Sequence, residues 1–188
     1  MGYGITLRSK PRVQFLRGYD PMNPTGLSQT APVKSGVTIK SGQVITLEWV
    51  SDNSRYEWVL ADRATVLAGK QTVYVAEQES TDYGISDSGI RGVSTTGDYE
   101  VQTAWFDAGD TYNVDTQLTI STTDGQLCAV PAGAGTYPVV GKVTRIRGTG
   151  GKLLQDPANG VKDDSSTSAA NSAVIIFQTG ALQTVTVS

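Results

Sequence analysis

From residue 33 to residue 147, apolar and polar positions alternate in short runs broken by glycine and small polar clusters, the period of two that marks strands. The first clear run is Val44-Ile45-Thr46-Leu47-Glu48-Trp49-Val50, entered from Val37-Thr38-Ile39 through a Ser41-Gly42 turn. The polar cluster Ser51-Asp52-Asn53-Ser54 separates it from Tyr56-Glu57-Trp58-Val59-Leu60. That order predicts a hairpin with Trp49 and Trp58 as a cross-strand aromatic pair. Further strands are predicted at 72–76, 89–93, 99–106, 117–121, 126–130 and 139–146, and Asp124-Gly125 between two of them is the strongest short hairpin signal in the chain. No window carries a convincing helical period. Short strands at this spacing predict an all-β fold, a small β-barrel or sandwich.

The flanks of this core read differently. Residues 1–32 hold Pro11, Pro21, Pro24 and Pro32 with Gly18 and Gly26, which predicts an extended N-terminal arm. Ile5, Leu7, Val13, Phe15 and Leu16 are too many apolar residues for a solvated tail, so the arm is expected to pack on its own core or on a neighbour. Residues 148–172 are rich in Gly, Ser, Thr and Asp and predict a flexible insertion loop. Strand texture returns in 173–188, first in Val174-Ile175-Ile176-Phe177 and again, after Gly180, in Leu182-Gln183-Thr184-Val185-Thr186-Val187. These terminal strands are expected to complete the core or to pair with a partner, since a last strand with an open edge invites augmentation.

At 188 residues the chain is expected to bury roughly 70% of its unfolded surface in one domain with its arm. Its single cysteine cannot form an internal disulfide, and no charged start followed by an apolar run suggests a signal peptide, so folding in a reducing cytosol is expected. No stretch approaches the ~20 apolar residues of a membrane span. Net charge is −3, but it is unevenly placed. Residues 1–40 carry Arg8, Lys10, Arg12, Arg17, Lys34 and Lys40 against Asp20, whereas 71–130 are strongly acidic with Arg91 the one basic residue. Such asymmetry suits docking on a surface of complementary potential, including another copy of the chain. Tyr3, Phe15 and Tyr19 among the basic residues also suit nucleic acid, but the acidic body opposes phosphate, and a protein-docking arm is the expectation.

The chain has no histidine, which removes Ser-His-Asp and Cys-His nucleophile systems and the common zinc sites. Cys128 falls in a predicted strand and reads as a small buried hydrophobe. Asp107, Asp110 and Asp115 form the best candidate for a hard cation, without the alternate spacing of an EF-hand. A hydrolytic carboxylate pair would be drawn from Glu77, Glu79, Asp82, Glu100 and Asp107, but nothing in the sequence selects one. The expectation is a non-enzymatic protein with no cofactor and no bound metal. A receptor- or glycan-binding β module is a further class, with Trp49, Tyr56, Trp58 and Trp105 as candidate stacking rings.

Several segments carry a family resemblance: Ser35-Gly36-Val37, Ser41-Gly42-Gln43-Val44-Ile45-Thr46-Leu47, Gly97-Asp98-Tyr99-Glu100-Val101, Asp124-Gly125-Gln126-Leu127 and Pro138-Val139-Val140-Gly141-Lys142-Val143. Across 33–147 and the final strand, their order and texture resemble the capsid decoration (cement) proteins of tailed bacteriophages. The resemblance implies a β-barrel made in the host cytoplasm that assembles as a homo-oligomer, a trimer in preference to a dimer. It would sit on the virion surface, bind the major capsid protein and bridge neighbouring capsomers. The capsid-binding arm would then comprise Tyr3, Ile5, Leu7, Arg8, Lys10, Arg12, Val13, Phe15, Leu16, Arg17 and Tyr19. The 148–172 loop departs from a minimal barrel.

Overall fold

The computed structural model describes residues 14–17, 28–69, 71–80, 89–96, 99–107, 109–147 and 174–188. In chain order its strands are β1 (Gln14–Arg17), β2 (Ser28–Ala31), β3 (Val44–Val50), β4 (Arg55–Leu60), β5 (Tyr74–Ala76) and β6 (Ile90–Ser94). There follow β7 (Glu100–Thr103), β8 (Gln117–Ile120), β9 (Leu127–Ala129), β10 (Gly135–Arg147) and β11 (Val174–Val187). They form two antiparallel sheets, one in the order β1-β7-β11-β10-β8-β9 and the other β2-β6-β5-β3-β4.

The fold is all-β and sandwich-like, with its main core between the sheets. Val44, Val75 and Val93 of the second sheet meet Val101, Leu118, Ile120, Val140, Val143, Ile175 and Phe177 of the first. Alternation along β3 puts the next residue, Ile45, on the other face, in a second cluster with Trp58 and Ile90. Ala31, Val33, Val37 and Ile39 cover that face. The cover is anchored at both edges of its sheet: Ser28–Ala31 pairs with β6, while Val33 makes a parallel bridge to Trp58 on β4. Trp58 donates its backbone N–H to Pro32 O at 2.8 Å, and Lys34 donates to Trp58 O at 3.1 Å. Because that second contact is a single bridge and not a ladder, the sheet curls without closing. Neither sheet is a closed barrel, so the barrel alternative gives way to the sandwich.

Several expectations shift in detail. Residues 14–17 and 28–31, read as arm, each add a strand to a sheet. Val37-Thr38-Ile39 is not a strand, yet Ile39 is fully buried as part of the cover. Residues 174–187 make one bent strand across Gly180, not two. A short helix α1 (Arg63–Gly69) interrupts the β pattern, started by Asp62, whose Oδ2 accepts the Thr65 N–H at 2.7 Å. Seven residues are too few to show a helical period, and Val66 is its one buried residue.

The Asp124-Gly125 turn joins β8 to β9 as predicted. Gly125 has φ +76°, the left-handed region that glycine enters without strain. Its N–H reaches Ala61 O, and its carbonyl accepts from Val44 N, each at 3.0 Å, which ties the turn to the second sheet.

Candidate functional site

The β3–β4 hairpin builds the most exposed apolar feature of the described residues. A 3-10 turn, Ser51–Asn53, leads to Ser54 at φ 48°, and the register then sets Trp49 opposite Tyr56 and Leu47 opposite Trp58. The predicted Trp49–Trp58 pair is therefore diagonal. The direct cross-strand pair is Trp49–Tyr56, edge to face at 5.1 Å between ring centres with planes 70° apart. Trp49 is 53% exposed and Tyr56 56%, and with Val114 they are the exposed large apolar side chains among the described residues.

Charged and polar side chains stiffen this tip. Glu57, buried at the base, accepts from Asn53 Nδ2 at 2.7 Å and Arg55 Nε at 2.8 Å. The Arg55 hydrogen bond holds its carboxyl below the usual glutamate range, against a desolvation that pushes the other way. Lys34 pairs with Glu48 at 2.7 Å one strand across.

The other candidate rings are structural. Trp58 is fully buried and donates its indole N–H to Ile90 O at 2.9 Å. Trp105 is part-buried, with its indole N–H on Ser41 O at 2.9 Å. Sequence reasoning named all four aromatics, but only register and burial separate the two presented rings from the two packed ones.

The candidate hydrolytic acids among the described residues are engaged elsewhere. Glu77 pairs with Arg91, Nη2 to Oε1 at 2.8 Å, and Glu79 lies 3.8 Å from Lys40. Glu100, buried, accepts from Arg145 at 2.6 Å and Thr144 at 2.9 Å. Asp82 lies outside the described residues. A groove of about 590 Å³ beside the hairpin carries Glu48, Asp62 and Asp124 over Val37, Val59 and Leu60. Two of those carboxylates already serve the fold, Glu48 with Lys34 and Asp62 as the cap of α1.

Asp107, Asp110 and Asp115 do not converge. Asp107 Oδ1 accepts the Gly109 N–H at 2.9 Å, Asp110 Oδ2 accepts the Ala129 N–H at 3.0 Å, and Asp115 pairs with Lys142 at 2.9 Å on the surface. Among the described residues no group of three or more His, Cys, Asp or Glu side chains gathers to hold a metal. Cys128 is buried against Arg63, whose Nη2 lies 3.2 Å from its sulfur, and burial pushes its thiol up to about 11.

Of the expected capsid-binding arm, Phe15, Leu16 and Arg17 lie in β1, with Phe15 opposite Val101 and Arg17 opposite Glu100. Tyr3, Ile5, Leu7, Arg8, Lys10, Arg12, Val13 and Tyr19 lie outside the described residues, as does the 148–172 loop. No helix of the described residues is long and apolar enough to cross a membrane. No family model, curated protein or solved structure matches the chain.

Proposed function

We propose that this chain is a structural virion protein of a tailed bacteriophage. It binds the outside of the capsid as a homo-oligomer and stabilises the shell by bridging capsomers of the major capsid protein. Anything that binds the assembled shell and not its parts stabilises it by mass action, so the role asks for a firm scaffold that presents contact surface. The observation that carries the reading is the Trp49–Tyr56 pair, held outward on a hairpin tip whose polar groups are already satisfied. Exposed aromatics on a firm support are typical anchors of protein interfaces. The basic sequence of residues 1–20 supplies a second contact, with Gln14–Arg17 returning to the chain's own sheet.

The test is co-sedimentation with empty capsids assembled from the major capsid protein encoded alongside the chain. Two variants are compared with wild type, Trp49→Ala/Tyr56→Ala and a truncation that removes residues 1–13 but keeps β1. Occupancy reduced about tenfold or more by either variant supports the reading, since one interface anchor is worth about 1.4 kcal/mol or more. A wild-type chain that fails to sediment with capsids overturns it.

The same exposed rings favour one alternative, a glycan-binding module. Rings set at 70° give no shared flat platform for consecutive sugars, which places this second. Binding on a glycan array that Trp49→Ala abolishes would reverse the order.

A further inference from the structure

We infer that residues 183–187 of β11 are a self-pairing edge, which joins two copies of this chain by antiparallel β-augmentation. The first half of β11 is an interior strand, bonded to β10 on one side and to β7 on the other through Ile175, Ile176, Phe177 and Gln178. Thr179 N–H then reaches Tyr99 O at 3.0 Å and Gly180 N–H reaches Thr95 O at 3.1 Å. Beyond that point the ladder with β10 jumps from Gly141–Thr179 to Val139–Gln183, so β11 carries extra residues in a bulge. A bulge bends its strand and increases the local twist. After it β11 stays on β10 but leaves β7, and its outer edge over 183–187 has no strand partner among the described residues.

The chemistry of that edge points to its occupant. Thr184 lies opposite Pro138, which has no N–H to give. A non-hydrogen-bonded pair there keeps the β10–β11 ladder whole, and it turns the backbone N–H and C=O of Thr184 and Thr186 outward. The Thr136 and Thr186 hydroxyls, 3.4 Å apart in the next pair of the same kind, fit this phase. Outward groups at positions 184 and 186 complement themselves. Two copies running antiparallel set each Thr184 against the other's Thr186, with Val185 facing Val185 on the two-fold axis, and every outward group is satisfied. The side chains of residues 179–187 include no charge and no proline, so two such edges meet without side-chain repulsion. Of the usual protections of an exposed edge, a lysine, a proline and an inward charge are absent from residues 183–187.

This deepens the assembly reading and rests on it, but the two fail separately: capsid occupancy tests one, and self-association of the free chain tests the other. It also differs from the trimer implied by the resemblance, because an isologous edge pair closes on a two-fold. The experiment is sedimentation equilibrium of the full chain with Thr184→Pro, which removes an outward N–H, and Thr186→Lys, which places two like charges diagonally across the two-fold axis. A wild-type dimer and at least tenfold weaker self-association in both variants are expected, with melting equal to wild type at concentrations low enough for all three chains to be monomeric. If Thr184→Pro fails to fold, Thr186→Lys and concentration-dependent exchange of the Thr184 and Thr186 amides decide. A trimer indifferent to both variants overturns the inference. So does a monomer whose edge amides gain protection only on capsids, which would assign the edge to the capsid protein.

Discussion

Trp58 reaches beneath two strands to bond Ile90. Its indole N–H, fully buried, donates to the Ile90 carbonyl at 2.9 Å, although β5 and β3 lie between β6 and β4 in the sheet. The ring lies tight against a glycine of β6. A Cβ on Gly92 would sit 3.0 Å from both Cζ2 and Cη2 of Trp58. One side chain thus couples β4, at one edge of the second sheet, to β6, one strand in from the other edge, against the cover that includes Ala31 and Ile39.

Gly92→Ala should therefore destabilise the chain by about 1–3 kcal/mol through overpacking. Trp58→Phe should cost about 2–4 kcal/mol, from a cavity and an unpaired buried carbonyl. The two are not additive: with the shorter ring in place, the alanine methyl has room. Urea unfolding of both single variants and the double should give a coupling of about 1 kcal/mol or more, and simple additivity would show that the ring and the glycine are independent.

The exposed pair should behave oppositely. Trp49→Ala and Tyr56→Ala should each lower stability by only about 0.5–1.5 kcal/mol, since the edge-to-face contact is lost but little burial goes with it. Urea midpoints close to wild type, alongside the capsid-binding loss proposed above, would separate a presented surface from a structural one. A large loss of stability would place the pair in the core instead.

Glu57 sets part of the acid limit. Its folded carboxyl lies below the ordinary value of 4.5 because the Arg55 guanidinium bonds the ionised form. A group whose folded value is depressed contributes stability that is complete above its unfolded value and lost as the pH falls through the folded one. Glu57→Gln should accordingly flatten the decline of the urea midpoint as the pH falls below the ordinary value of 4.5. An acid limb of unchanged slope would show that the Arg55 contact adds nothing.

Cys128 should report unfolding and not chemistry. Burial, the dominant influence, raises its thiol to about 11 although Arg63 pulls the other way. At about pH 8 an aromatic disulfide reagent should label it only as fast as the chain opens, with a rapid burst on adding urea. Prompt labelling of the folded chain would contradict the burial.

The sequence alone carried the all-β class, the β3–β4 hairpin with its Ser51–Ser54 separator, the Asp124-Gly125 turn and the buried role of Cys128. These are local signals, a period of two and turn chemistry that act over a few residues. Pairing is not local. The choice of Tyr56 over Trp58 as the partner of Trp49 depends on hairpin register, and a shift of a residue or two changes which ring is presented and which is packed. That Ser28–Ala31 and Val33 reach opposite edges of one sheet, that Glu77, Glu79 and Glu100 engage Arg91, Lys40 and Arg145, and that β11 leaves β7 at Gly180 all join residues far apart in the chain. The helix at Arg63–Gly69 leaves no periodic trace in the sequence, because it has two turns and one buried residue. Tertiary packing decided which aromatics, carboxylates and strand edges face outward, because exposure belongs to the assembled sheets and not to any one segment.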